Sequence, residues 1–180
     1  YLLPFAILGL VLVHLVLLHL PGSSNPVGSP VTQDKIPFYP YFYVKDLFGF
    51  LTFLLLFSYF VFFNPNALGH PDNYIEANPM VTPAHIVPEW YFLPFYAILR
   101  SIPDKLGGVL CMGAAIAVLY ILPYINFSRV LNSNYRPIFH VFYWFFIFDV
   151  LLLGWLGACP VEAPYIIMGQ CATFYYFFFF

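Results

Sequence analysis

Apolar residues along this chain fall into long blocks with few polar interruptions, at residues 1–20, 47–63, 106–125, 139–156 and 165–180. About twenty apolar residues in a helix span the hydrocarbon core of a bilayer. Because backbone polar groups in hydrocarbon must be satisfied within each segment, every block predicts a transmembrane helix. The second block is short, but it can extend back over Phe42 and Tyr43. The pattern therefore predicts an all-α fold, a polytopic transmembrane helical bundle with four full spans plus a truncated fifth.

Polar segments separate these blocks, and they divide the chain into three predicted parts. Residues 1–20 form the first helix, residues 21–46 a loop rich in Pro, Gly and Ser, and residues 47–180 a second membrane domain that contains a long loop at 64–108. Four basic residues lie in the first and third loops, against two in the second and fourth. This bias favours the first and third loops on the negative side of the membrane.

Composition supports the membrane assignment and excludes other classes. The chain is 62% hydrophobic and only 8% charged, whereas soluble domains carry about a quarter charged residues. With a net charge of −2 and no basic patch, it has no feature of a nucleic-acid-binding protein. A channel or transporter needs polar residues along a path through the bilayer, which these spans nearly lack. The three cysteines form no C-x-x-C pair and are interpreted as apolar packing residues.

Ionisable residues inside or beside the spans are the first candidates for chemistry. His14 lies within the first span, where an imidazole either bonds a neighbouring helix or ligates a haem iron. His19 lies at the end of that span, where it either marks the membrane interface or hydrogen-bonds a quinone carbonyl. Asp46 precedes the second span and by itself indicates an ordinary solvated helix start. Asp149, within the fourth span, predicts a buried hydrogen-bonding group.

A second candidate is Glu89, the only acidic residue of the sequence Pro88-Glu89-Trp90-Tyr91 in the long loop. A proline before an acid is typical of the first helical turn, where the helix dipole favours a carboxylate. Trp and Tyr are enriched at membrane–water interfaces. By itself, this short motif predicts no more than a helix start.

The longer pattern around Glu89 is much more specific. GHPDNY at 69–74, TPAHIVPEWYFLP at 82–94 and YAILRSIP at 96–103 resemble the quinol-site loop of the cytochrome b family. The resemblance covers nearly all 180 residues. It implies the last helix of a haem-binding bundle, followed by the C-terminal membrane half. The implied activity is that of ubiquinol–cytochrome c oxidoreductase, in which electrons from ubiquinol cross the membrane through b-type haems while protons are translocated.

The resemblance also implies residue roles. Glu89 would accept a proton from ubiquinol and Tyr96 would contact the quinol ring, with Pro88 and Phe92 in the pocket wall. The implied axial ligand of the high-potential haem iron is His14. Family residues of the quinone-reduction site are matched by His19, Ser23 and Asp46. Arg100 is expected to anchor the loop end through an ion pair or at the lipid headgroups.

The implied partners are the N-terminal part of cytochrome b, the Rieske iron–sulfur protein and a cytochrome c1-type subunit, within a dimeric complex of the mitochondrial inner membrane that also binds ubiquinol and lipids. Because the family's companion ligand would precede Tyr1, we expect a fragment or split-gene product that is inactive alone. Two alternatives stay open, a structural remnant assembling with a separate haem-bearing chain and a protein like subunit IV of the photosynthetic quinol–plastocyanin enzyme. That subunit begins after the first span, so His14 and His19 favour the respiratory form.

Overall fold

The computed structural model describes residues 1–28, 34–83, 85–130 and 132–180, and across these ranges it contains six α-helices and no strand. The helices are α1 (Leu2–His19), α2 (Tyr41–Ser58), α3 (Leu93–Ser101), α4 (Lys105–Ile125), α5 (Pro137–Ala158) and α6 (Tyr165–Phe179). Four spans in the described ranges are long and apolar enough to cross a membrane: α1, α2 with its extension to Phe63, α4 and α5. The predicted all-α membrane bundle is therefore confirmed.

The second helix starts earlier than its apolar block. Its first residue is Tyr41, directly after Pro40, and it continues beyond Ser58 as a π-helical turn to Phe63. Its first turn contains Tyr41 and Tyr43, and tyrosine is enriched at membrane–water interfaces. The loop predicted at residues 21–46 thus includes the first turns of α2, and Asp46 lies inside that helix.

Two compact units make up the chain. The first contains residues 1–35 and 128–136, and the second contains residues 36–127 and 137–180. In the first unit no residue of α1 is buried against the rest of the described chain, and the Asn132 side-chain amide donates to the carbonyl of Pro26. The carbonyl oxygen of the same Asn132 side chain accepts from Asn134 N at 2.9 Å and caps the short turn that follows.

The second unit is built around the short helix α3, which packs against α4, α5 and α6. Its core includes Ile98 of α3 and Leu153 of α5, both fully buried. Two glycines let the neighbouring helices touch the α3 backbone. A Cβ on Gly157 would lie 2.3 Å from the carbonyl oxygen of Leu93, and one on Gly108 would lie 2.5 Å from that of Leu99. Small residues at such crossings permit close packing without a hydrophobic driving force in lipid.

Polar side chains tie α6 to the end of α3. Thr173 donates its hydroxyl to Ser101 Oγ at 2.9 Å, and Gln170 Nε2 donates to the Ser101 carbonyl at 3.1 Å. Ser101 in turn donates to the Ile98 carbonyl at 2.8 Å. The hydroxyl of Tyr176 on α6 donates to the carbonyl of Ala115 on α4 at 2.9 Å. In a region with little water, these bonds satisfy groups that would otherwise be costly to bury.

Candidate functional site

Glu89 lies at the start of the short helical segment that carries the candidate chemistry. It has extended backbone angles (φ −58°, ψ 152°), and its carbonyl accepts from Phe92 N at 2.9 Å, which closes a 3₁₀ turn over Trp90–Phe92. Helix α3 follows directly, with Pro94 in its first turn. The first-turn proline is therefore Pro94 rather than Pro88, since a proline inside the first turn needs no backbone donor. The Glu89 carboxylate still lies at the N-terminal end of the segment, where the backbone dipoles favour negative charge.

The side chains around Glu89 form an exposed aromatic surface. Trp90, Tyr91 and Phe92 are each more than half exposed. Their rings contact one another in sequence, with centroids 5.6 Å apart for the first pair and 4.8 Å apart for the second. Glu89 itself is exposed and Pro88 is half-buried. An exposed acid is thus followed directly in the chain by three exposed aromatic residues.

Tyr96 connects α3 to the loop before it. Its hydroxyl donates to the Ile86 carbonyl at 3.3 Å, a long hydrogen bond that spans ten residues of sequence. The guanidinium carbon of Arg100 lies 5.1 Å from the centroid of the Tyr96 ring. Arg100 makes no ion pair within the described part of the chain, so the expected ion-pair anchor is replaced by this ring contact and by a bond to a backbone carbonyl.

Four of the candidate residues belong to one continuous segment: Pro88, Glu89, Phe92 and Tyr96. The segment is mounted on the packed end of α3, where Leu93 meets Gly157 and Pro94 meets Gly154. Because close-packed interiors transmit strain, we expect a shift of α5 to displace the start of α3 and the segment before it.

The remaining candidates lie elsewhere. His14 is in the second half of α1, His19 is its last residue and Ser23 follows in the loop, all three exposed and all in the first unit. Asp46 is exposed on α2 in the second unit. The common quinone-reduction site of His19, Ser23 and Asp46, which draws on both units, stays a prediction.

The contact between Tyr96 and Arg100 was not predicted from the sequence, and the environment of Asp149 was predicted only in part. The contact between Tyr96 and Arg100 has a sequence signal, since residues four apart on a helix are neighbours. Asp149 is buried as expected, but one of its carboxylate oxygens has no hydrogen-bond partner among the described residues. It lines a cavity of about 320 Å³ between α5 and α6, together with aromatic side chains.

Comparison with known proteins gives the family. The model of the family described as "Cytochrome b(C-terminal)/b6/petD" matches residues 76–177, and that described as "Cytochrome b(N-terminal)/b6/petB" matches residues 1–71. The chain belongs to the cytochrome b family. It is 59% identical over 180 residues to cytochrome b of Chondrus crispus, covering 100% of this chain and 47% of that protein.

Other relatives agree with this assignment. Identity to cytochrome b of Marchantia polymorpha is 60% over 180 residues, which covers 100% of this chain and 45% of the relative. Cytochrome b of Rickettsia bellii is 59% identical over 182 residues, covering 100% of this chain and 46% of the relative. A chain of a hyperthermophilic respiratory complex III superposes with a TM-score of 0.89 at 35% identity, over 98% of this chain and 46% of that one. The chain thus spans about half the length of these relatives.

The cytochrome b family binds b-type haem, and His14 fits one part of such a site. Its neighbours one turn away on α1 are Leu10, Val11, Leu17 and Leu18, so the imidazole stands on an apolar helix surface suited to a macrocycle. Within the described residues no group of three or more His, Cys, Asp or Glu side chains could hold a metal ion. The role of His14 as a haem ligand stays a prediction.

Proposed function

We propose that this chain is a subunit, or part of one, of a quinol–cytochrome c oxidoreductase, and that its segment 88–96 is the quinol-oxidation site. The observation that carries this proposal is the family match across the whole chain, at 59% identity to Chondrus crispus cytochrome b. The similarity to a respiratory complex III at a TM-score of 0.89 supports the same activity.

Oxidation of ubiquinol to ubiquinone releases two protons and two electrons. A general base speeds such a step when it lies within hydrogen-bond reach of the hydroxyl that loses its proton. Glu89 is the acid of the segment, and it is exposed beside a set of apolar rings. We assign it the role of taking a quinol proton and releasing it to water at the membrane surface.

The other residues of the segment bind and orient the ring. Pro88 and Phe92 supply apolar walls, which is typical of pockets that hold a lipid-soluble ligand with few polar groups. Tyr96 offers a half-buried ring for stacking against the quinol, while its hydroxyl holds the Ile86 carbonyl. Its position on packed α3 supports a fixed geometry at the site.

In the proposed complex His14 would hold the high-potential b-type haem together with a residue of the N-terminal part of cytochrome b. Bound there, the haem would supply single-electron transfer across the bilayer. His19, Ser23 and Asp46 are proposed to bind the quinone that is reduced at the other membrane surface. An imidazole and a carboxylate there can supply the protons that the reduction consumes.

The proposed partners are the Rieske iron–sulfur protein and a cytochrome c1-type subunit, in a dimeric complex. Relatives from Chondrus crispus and Marchantia polymorpha favour the mitochondrial inner membrane, although cytochrome b of Rickettsia bellii is as similar. Matches to both the N-terminal and the C-terminal family models support the respiratory form over a subunit IV-like protein. Purification of the complex tests the remaining alternative, a structural remnant. A complex that contains this chain but neither b-type haem nor quinol-oxidising activity would favour the remnant over the proposed function.

Glu89→Gln in the intact complex tests the proton role. Because the amide cannot take a proton at neutral pH, we expect quinol-driven cytochrome c reduction to slow by about ten- to 100-fold. This is at or below the lower limit for a positioned base, since water can reach the exposed site and accept part of the proton flux.

Glu76→Gln is the matched control, because Glu76 is an exposed acid of the same loop outside the segment. It should leave turnover unchanged. Haem spectra of both variants show whether the complex has assembled. Equal turnover of Glu89→Gln, Glu76→Gln and the unmodified complex would remove Glu89 from the proton path.

A further inference from the structure

We propose that Arg100 is a positioning residue for quinol oxidation, acting through the ring of Tyr96. This inference rests on the proposed role of segment 88–96. From the sequence, Arg100 is expected only to anchor the end of the loop.

The first support is the geometry of the guanidinium. Arg100 Cζ lies 5.1 Å from the Tyr96 ring centroid, within the range in which a cation is attracted by the face of an aromatic ring. The two residues are four apart on α3, so the helix itself brings them together. A planar guanidinium suits this contact better than an ammonium group does, because it is more weakly hydrated.

The second support is the way in which the guanidinium is held. Nη2 of Arg100 donates to the Leu156 carbonyl of α5 at 3.0 Å. Its Nε is buried and has no hydrogen-bond partner among the described residues. Within the same part of the chain no carboxylate pairs with the guanidinium. The Arg100 guanidinium thus lies over the Tyr96 ring. Its hydrogen bond to the Leu156 carbonyl ties it to α5.

The third support is what Tyr96 does in turn. Its hydroxyl donates to the Ile86 carbonyl, three residues before Glu89. A continuous series of contacts therefore connects α5 to Arg100, Arg100 to Tyr96, and Tyr96 to the loop residues just before Glu89. Loss of the cation would free the ring to rotate and would loosen the loop bond, without removing any group that touches the reacting atoms.

A double-mutant cycle in the intact complex tests the inference. Arg100→Gln should raise the KM for quinol about fivefold, which is the size of effect expected from losing one half-buried cation–π contact. The kcat should change by less than about twofold. Arg100→Lys keeps a charge and one donor but not the planar group, so its KM should rise only about twofold. Lys105→Gln removes an exposed positive charge nearby on α4 and should change neither constant.

The decisive comparison is made in a Tyr96→Leu background, where neither Arg100 substitution should raise KM further. Equal increases in both backgrounds would overturn the inference, because Arg100 would then act through the backbone of α5 and not through the ring. If Arg100→Gln does not assemble, Arg100→Lys carries the same comparison. A density map of the variant complex supplies a second readout, in which the Tyr96 ring should have turned away from its position in the unmodified complex.

Failure of the proposed function has a different signature. In that case Tyr96→Leu alone leaves both KM and kcat for quinol unchanged. A Tyr96→Leu complex with altered constants, together with an Arg100→Gln complex that behaves like Lys105→Gln, would instead refute the inference and leave the proposed function standing.

Discussion

Gly157→Ala is predicted to damage the candidate site from a distance. The new Cβ would lie 2.3 Å from the Leu93 carbonyl oxygen and 2.9 Å from its carbonyl carbon. Ordinary contacts start near 3.4 Å, so α3 and α5 must separate by about 1 Å. Leu93 is the first residue of α3, and no flexible side chain can yield in its place. Overpacking of this kind costs about 1–3 kcal/mol.

The displacement falls on the segment that carries Glu89 and Tyr96. A misplacement of about 1 Å can reduce a rate by about 100-fold even when the substitution is far from the chemistry. We therefore expect Gly157→Ala to lower quinol-driven cytochrome c reduction by about ten- to 100-fold per assembled complex. Haem spectra of the purified complex give the normalisation, and thermal unfolding of the same sample reports the loss of stability.

A matched control lies one turn earlier on the same helix. A Cβ on Gly154 would meet Pro94 Cγ at 3.7 Å, an ordinary van der Waals contact. Gly154→Ala adds the same methyl group to the same helix, so it should be close to unmodified in both assays. If the two variants were equally stable and equally active, close contact between α5 and the start of α3 would not be what holds the site in place.

Two further substitutions test individual contacts by thermal unfolding of the complex. Asp104 is the N-cap of α4, and its carboxylate accepts from Gly107 N at 2.6 Å. Asp104→Ala should therefore lower the free energy of unfolding by about 1 kcal/mol. Asp104→Asn keeps an acceptor and should lower it less. Tyr176→Phe removes the hydroxyl that donates to the buried carbonyl of Ala115 and should also cost about 1 kcal/mol. Tyr120→Phe, at an exposed position of α4, should change nothing, and an equal loss there would show that the Tyr176 bond is not the cause.

The transmembrane helices could be predicted from the sequence because a bilayer imposes both their length and their apolarity. Helix α3 was harder, since its nine residues lie inside a loop and only Ala97, Ile98 and Ser101 are buried. Its start was assigned to Pro88, because a proline before an acid fits a first turn as well as Pro94 does. Boundaries of short helices depend on tertiary packing, which a single sequence does not contain.

The candidate site was predicted in a different way. Glu89, Tyr96 and His14 were assigned by resemblance to a family, and physical reasoning alone left each of them open. By contrast, the Tyr96–Arg100 contact follows from helical spacing and could have been predicted. The bonds between Ser101 and Thr173 could not, since those residues are 72 positions apart in sequence.

Those bonds have a consequence for α6. Apart from Gln170, Thr173 and its tyrosines, its residues are apolar around the whole circumference, so avoidance of water distinguishes poorly between orientations about its own axis. Gln170 and Thr173 are three residues apart and both hydrogen-bond Ser101, so these two bonds fix the rotation of α6 about its own axis. A turn of about 100°, one residue further along the chain, would point both groups in the directions of Cys171 and Phe174, which are exposed. Swaps among the outward phenylalanines should therefore be tolerated, whereas inserting one residue just before Gln170 should misalign the last helix.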